Sequence, residues 1–120
     1  MRYWFHPRCG TCKKAGALLH ELGIAPEAFD LTVAAIPAAA LKDMMERAGL
    51  PDRKWFNTSG QSYRDGGFGV RVAEMSRDEV VAALAADGML VKRPVLDTGS
   101  AVLVGLNEEQ WRQVLAATKT

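Results

Sequence analysis

The sequence has few residues that bind metals or form disulfides: two cysteines and two histidines among 120 residues. It also lacks the run of about 18 apolar residues that a membrane-spanning helix requires. The N-terminal segment MRYWFHPRC has no apolar stretch followed by small residues, unlike a signal peptide. These absences predict a cytoplasmic protein, and in that compartment a C-x-x-C pair is more often catalytic or metal-binding than structural.

A large net charge of either sign is also lacking. Fifteen basic and 14 acidic residues leave a net charge of +1, so no overall field attracts nucleic acid or a membrane surface. Only the N-terminal segment is uneven, because every charged residue before Glu21 is basic. These residues are Arg2, Arg8, Lys13 and Lys14. Both cysteines therefore lie in the most cationic part of a near-neutral chain.

The length and the 48% hydrophobic content predict one domain over residues 1–120. Apolar periodicity predicts a β-α-β unit, a helical middle and a β-β-α unit. Strands are expected at 2–5 and 28–33 and in a hairpin over 95–104; helices are expected at 11–22, 37–48, 76–88 and after 107. The helix from 76 begins with the capping box Ser76-x-x-Glu79. Residues 54–69 show no steady period and are expected to be irregular, with at most a helical turn.

The segment FHPRCGTCKKAGALL places two cysteines where the first strand gives way to a helix. Cys9 precedes the helix and Cys12 lies in its first turn, so the unpaired backbone N–H groups are directed mainly at Cys9. These groups, together with the flanking cations, are expected to lower the pKa of the Cys9 thiol. The spacing also lets Cys12 reach back to Cys9. We therefore expect Cys9 to attack and Cys12 to resolve, the alternative being two inert buried cysteines.

Zinc is a weaker interpretation of the same pair. Its remaining ligands would have to be His6 and His20, and His20 lies eight residues beyond Cys12 on the same predicted helix. At about 1.5 Å of rise per residue this is roughly 12 Å along the helix axis. Such a separation cannot close a tetrahedron with zinc–sulfur distances of about 2.3 Å. No metal site is predicted.

The segment LVKRPVL, residues 90–96, has a proline at the mouth of a predicted strand. Because proline removes a ladder donor there, we predict that the Arg93–Pro94 peptide bond is cis. Arg93 could then direct its guanidinium at a thiolate, a carboxylate or an oxyanion. The alternative is a solvated charge at the end of a strand.

Two further groups have both a functional and a structural interpretation. His6 could tune Cys9, although a histidine at a strand end is more often a satisfied surface residue. In WFNTSG, residues 55–60, Asn57 and Ser59 could contact a ligand, or the segment could be a turn beside core aromatics.

With these residues in view, the chain resembles the arsenate reductase (ArsC)/Spx family, and most closely its C-x-x-C branch. HPRCGTC at 6–12 resembles the active-site opening H-N-P-x-C-G-T-S or C-x-x-C of that family. FNTSGQSYR at 56–64, DGMLVKRPVL at 87–96 and VGLNEEQW at 104–111 resemble its later motifs. The resemblance implies a thioredoxin-like core, β-α-β then β-β-α, with a helical insertion at about 37–88.

Carried over to this sequence, Cys9 falls on the nucleophile of the family, Arg93 on its arginine before proline, and Pro94 on its cis-proline. Glutathione- and glutaredoxin-dependent arsenate reductases of the family have serine in place of Cys12. They also have two further anion-binding arginines, near Asn57 and Gly105, that this chain lacks. These departures favour dithiol chemistry over oxyanion chemistry.

The sequence thus predicts a cytoplasmic thiol–disulfide oxidoreductase in which Cys9 attacks and Cys12 resolves. Its partner would be a small thiol or a protein disulfide, with glutathione, thioredoxin or glutaredoxin as reductant and no bound cofactor. We expect seven residues to bind the substrate or thiol: Arg8, Gly10, Thr11, Lys13, Asn57, Ser59 and Pro94. The alternatives are an arsenate reductase acting on an oxyanion, and an Spx-like redox-sensing regulator that binds the RNA polymerase α subunit.

Overall fold

The computed structural model describes residues 1–118, so the last two residues of the predicted domain lie outside the described residues. Its elements in chain order are β1 (Arg2–Phe5), α1 (Gly10–Glu21), β2 (Glu27–Asp30), α2 (Ala38–Ala48), α3 (Gln61–Asp65), α4 (Phe68–Arg71), α5 (Arg77–Ala86), β3 (Val95–Asp97), β4 (Val102–Val104) and α6 (Glu108–Thr118). Three short 3-10 turns lie at Asp52–Trp55, Val72–Glu74 and Gly88–Leu90. The predicted order of strands and helices is confirmed.

Two compact units make up the chain. The first contains Met1–Asp30 and the chain from Arg93 onward, and the second is Leu31–Lys92. The first unit holds all four strands, and the second holds the helices of the predicted insertion. That the chain behaves as a single domain stays a prediction.

A four-stranded mixed sheet organises the first unit, with the strand order β2-β1-β3-β4. β1 pairs in parallel with β2 and antiparallel with β3, and β3 forms the predicted hairpin with β4. Strand and helix residues share one apolar core: Tyr3, Ala15, Leu18, Leu19, Leu96, Leu103, Trp111 and Leu115. Because α1 contributes a full stripe to this core, its first turn is held firmly against the end of β1.

The predicted second strand, 28–33, is wrong at its C-terminal end. The pairing runs from Arg2 with Glu27 to Phe5 with Asp30, so β1 provides pairing partners for only four residues of β2. Beyond Asp30 no partner remains for a ladder, and the chain turns.

Signals at the helix ends are largely confirmed. Gly23 ends α1 in the left-handed region at φ 71°, which glycine adopts without steric cost. The Ser76 hydroxyl accepts from the Glu79 N–H at 3.2 Å, and the Glu79 carboxylate accepts from the Ser76 N–H at 3.0 Å. The capping box therefore forms as predicted.

The expected end of α5 at Gly88 is wrong, because that helix ends at Ala86. Gly88 instead begins a 3-10 turn, and a Cβ there would lie 2.6 Å from the Leu31 carbonyl oxygen. Glycine is thus required at this position by close packing. Residues 54–69 are more helical than expected, because α3 and α4 are too short to show an apolar period.

The second unit has its own core. Leu41, Met44 and Met45 of α2 are buried, as are Val80 and Leu84 of α5. Trp55 and Phe56 are also buried, and Phe56 forms an isolated antiparallel bridge with Val91. The aromatic pair is therefore core, as the structural interpretation of WFNTSG required.

Candidate active site

Cys9 is the residue that precedes α1. Its backbone is extended, with φ −85° and ψ 121°, and its N–H donates to the His6 carbonyl at 3.1 Å. Its own carbonyl accepts the first helical bond, from the Lys13 N–H at 3.0 Å. This half-buried position places the sulfur beside the free N–H groups of the first helical turn.

Several groups around Cys9 favour its negative charge. Burial by itself raises the pKa of the thiol, but four donors outweigh it: the Cys12 N–H, the Cys12 thiol, the Thr11 N–H and the Arg93 guanidinium. The pKa of Cys9 is therefore lowered from its usual value. The side chains of Arg8, Lys13 and Lys14, which were expected to lower this pKa, are not among the causes. The decrease comes from helix N–H groups, the Cys12 thiol and Arg93.

Cys12 shows the opposite behaviour. It is 3% exposed, and burial raises the pKa of its thiol above the usual value. The His6 N–H donates to its sulfur at 3.4 Å and opposes this increase, whereas the adjacent Cys9 sulfur reinforces it. Both cysteines are free thiols. The pair therefore combines an easily ionised thiol with one that stays protonated.

The predicted Arg93–Pro94 cis bond is confirmed. Pro94 is buried, and its carbonyl accepts from the Gly105 N–H at 2.8 Å, which attaches the segment to the end of β4. The Arg93 side chain is half-buried and lowers the pKa of Cys9. One guanidinium nitrogen, Nη1, is buried and has no hydrogen-bond partner within residues 1–118. Arg93 is thus not a solvated strand-end charge.

His6 is buried at 9% exposure, in contrast to the expected surface residue. Its Nδ1 atom accepts from the Arg8 N–H at 3.0 Å, which leaves the ring proton of the neutral form on Nε2. Burial lowers the pKa of His6, as do Arg93 and Arg8, while Asp30 opposes them. The His6 backbone therefore contacts both cysteines: its N–H donates to the Cys12 sulfur, and its carbonyl accepts from the Cys9 N–H.

Tyr3 is a part of the site that the sequence analysis missed. Its hydroxyl donates to the Cys12 carbonyl at 2.8 Å in a buried position, and its ring stacks on Phe5. The apolar, aromatic character of residues 2–5 predicts a buried strand, but nothing in the sequence indicates which carbonyl the Tyr3 hydroxyl reaches.

The remaining predicted binding residues are divided between the two units. Arg8, Gly10, Thr11 and Lys13 are exposed around the start of α1. Asn57 and Ser59 belong to the second unit. There the Asn57 N–H donates to the Leu90 carbonyl at 2.7 Å, and its own carbonyl accepts from the Gly60 N–H at 3.1 Å. Their role in binding stays a prediction.

The described part of the chain contains neither a candidate metal centre nor a candidate membrane span. Across residues 1–118, no group of three or more His, Cys, Asp or Glu side chains is arranged to hold a metal ion. No helix in this part of the chain is both long enough and apolar enough to span a bilayer.

Known proteins are similar to this chain in both sequence and fold. The chain is 42% identical over 113 residues to the Bacillus subtilis (strain 168) protein named Uncharacterized protein YusI, covering 92% of this chain and 93% of that protein. A solved structure described as "putative ArsC family related protein" from Bacteroides fragilis is 35% identical, with a TM-score of 0.89 over 93% of this chain and 94% of that one. Another, described as "a possible arsenate reductase" from Streptococcus mutans UA159, is also 35% identical, with a TM-score of 0.84 over 92% and 96% of the two chains.

The family model described as ArsC family matches residues 4–114, which include both cysteines and the Arg93–Pro94 segment. The α/β architecture has the thioredoxin-like order of elements that the resemblance implied. The chain belongs to the ArsC family.

Proposed function

We propose that this protein is a cytoplasmic thiol–disulfide oxidoreductase whose Cys9-x-x-Cys12 pair performs the reaction. Membership of the ArsC family, together with a structural relative described as "a possible arsenate reductase", supports a thiol-dependent redox function. The observation that carries the finer proposal is the opposite shift of the two thiol pKa values, downward for Cys9 and upward for Cys12. This is the combination that a nucleophile and a resolving thiol require.

The reaction would begin at the Cys9 sulfur. Its thiolate attacks one sulfur of a substrate disulfide, the substrate S–S bond breaks, and the other sulfur leaves as a thiolate that takes a proton from water. Cys9 is then joined to the first substrate sulfur in a mixed disulfide. The Thr11 and Cys12 N–H groups and the Arg93 guanidinium stabilise the anion before attack.

Cys12 would complete the cycle. It loses its proton and attacks Cys9, the mixed disulfide breaks, and the second substrate thiolate leaves. The substrate has gained two electrons, and the protein holds a Cys9–Cys12 disulfide. A thiol reductant, glutathione or a thioredoxin-like dithiol, returns two electrons and two protons to this bridge. Arg8 and Lys13, exposed beside the start of α1, are suited to orient an anionic thiol. We also assign Pro94 to an apolar contact with the substrate.

A trapping experiment tests this proposal. Reduced wild type, Cys12→Ser and Cys9→Ser are each incubated with glutathione disulfide, and the intact masses are measured. We expect wild type to lose two hydrogens without retaining glutathione, and Cys12→Ser to retain one glutathione on Cys9. Cys9→Ser, the matched control, should react far more slowly. Equal labelling of both variants, or no wild-type disulfide, would contradict the assigned roles.

Arsenate reduction is the second candidate, favoured by one observation. The buried Nη1 of Arg93 has no partner in the described residues, and a guanidinium beside a thiolate suits a tetrahedral oxyanion. The test is arsenate turnover with glutathione and glutaredoxin, comparing wild type with Arg93→Lys. Turnover that persists in Cys12→Ser and falls in Arg93→Lys would favour this reaction over the dithiol cycle.

A further inference from the structure

A cavity of about 380 Å³ opens beside α1 in the first unit. Its walls are mostly apolar and include Tyr3, Phe5, Pro7 and Ala28. Neither Cys9 nor Arg93 is among its lining residues, so the cavity adjoins the Cys9 thiolate from the side of Cys12 and His6. Its volume lies within the range of about 300–1,000 Å³ that is typical of small-molecule sites.

Gly16 of α1 lines the same cavity. A glycine in a helix interior destabilises the helix relative to alanine, and close approach of another group is the usual reason for it. Here a Cβ added at Gly16 would meet no atom within 4 Å, so neither packing nor backbone conformation requires glycine. The effect of this glycine is to leave the space above the helix open.

The polar side chains among the lining residues are Tyr3, His6, Cys12 and Lys13, and Lys13 is the one with a full positive charge. Lys13 lines it from the exposed side of α1, and no aspartate or glutamate lines it. The ion pairs formed within residues 1–118 involve cations other than Lys13. A ligand with an apolar body would match the walls, and a negative charge at its end would match Lys13.

We propose that this cavity binds a small molecule with a ring-sized apolar body and one carboxylate, the carboxylate being paired with Lys13. Cys12 also lines the cavity, so the ligand would lie against the thiol that the proposed function assigns to resolution. Binding itself does not depend on that chemistry, and it is measured on the reduced protein without any thiol substrate.

The test is an NMR titration of the reduced full chain with 4-phenylbutyrate, with 4-phenylbutanol as the neutral probe. We expect saturable shifts in the millimolar range or tighter, centred on the amides of Tyr3, Cys12, Gly16 and Ala28. Phenylbutanol should bind about twofold to fivefold more weakly, because it lacks the ion pair. Shifts that do not saturate, or that centre elsewhere, would overturn the proposal.

Matched variants locate the site. Gly16→Leu fills the cavity and should weaken phenylbutyrate binding by about tenfold or more, whereas His20→Leu adds the same side chain elsewhere on α1 and should not. Lys13→Gln should weaken binding about twofold to fivefold, and the neighbouring Lys14→Gln should not. Equal phenylbutyrate affinities within both pairs of variants would refute the assignment. If Gly16→Leu fails to fold, equal affinities of Lys13→Gln and Lys14→Gln would by themselves refute it.

Discussion

Replacing Tyr3 with phenylalanine tests how the sheet holds the cysteine helix. The substitution removes the 2.8 Å hydrogen bond from the Tyr3 hydroxyl to the Cys12 carbonyl and retains the ring stacked on Phe5. The Cys12 carbonyl still has its helical acceptor role, because α1 extends over Gly10–Glu21. No buried polar atom is therefore left without a partner by the change.

The loss of stability expected for Tyr3→Phe follows from the removal of this single hydrogen bond. A buried hydrogen bond removed without leaving an unsatisfied group contributes about 0.5–1.5 kcal/mol to stability. For a chain of this size the corresponding decrease in the melting temperature is about 2–6 °C. Tyr63→Phe is the matched control, because the half-buried Tyr63 forms no hydroxyl hydrogen bond within residues 1–118. It should change stability by less than about 0.5 kcal/mol.

The measurement is urea unfolding of the reduced proteins, analysed by linear extrapolation.

The pH dependence of stability provides an independent check. Burial, and then the Cys12 and Cys9 charges, raise the pKa of Tyr3 above its usual 10.0. The folded state thus holds the phenol proton more tightly than the unfolded state, so this contribution is present below pH 10.0 and is lost as the pH rises above it. Tyr3→Phe should lack that component of the alkaline loss. A variant as stable as wild type, with an unchanged alkaline profile, would refute the reasoning.

Three further substitutions have defined outcomes. Gly16→Ala should stabilise the protein by about 0.5–1 kcal/mol in thermal unfolding, because it improves helix propensity and its methyl group meets no neighbour; a loss of stability would contradict the open space. His6→Gln should reduce the loss of stability on acidification below pH 6.5, because the pKa of His6 is lowered in the folded state and the unfolded state takes up the proton first. An unchanged dependence of stability on pH would exclude His6 as the source of that loss. Ser76→Ala should cost about 1 kcal/mol by breaking the capping box in urea unfolding, and no loss would mean that this cap contributes nothing.

Local signals in the sequence predicted most of the helices and strands. The capping box at Ser76, the stop at Gly23 and the apolar stripe of α1 all act within a few residues, so periodicity and capping rules reveal them. The cis bond before Pro94 was also predicted, from a proline at the mouth of a strand. The end of β2 was not, because strand length depends on the pairing partner and β1 has only four residues.

The sequence by itself determined which thiols could react and where they lie relative to a helix. Cys9 and Cys12 are adjacent in sequence to the helix start, and backbone N–H groups act on them locally. The regulator alternative and its polymerase partner stay predictions. Only the tertiary structure decided which charges reach Cys9, because Arg93 is 84 residues away along the chain and comes to the site through the pairing of β1 with β3. It also decided that Cys12 is buried and in contact with His6 and Tyr3, because these contacts depend on how α1 packs against the end of β1 and not on the order of residues. Burial in turn raises the pKa of Cys12, opposite to the shift of Cys9.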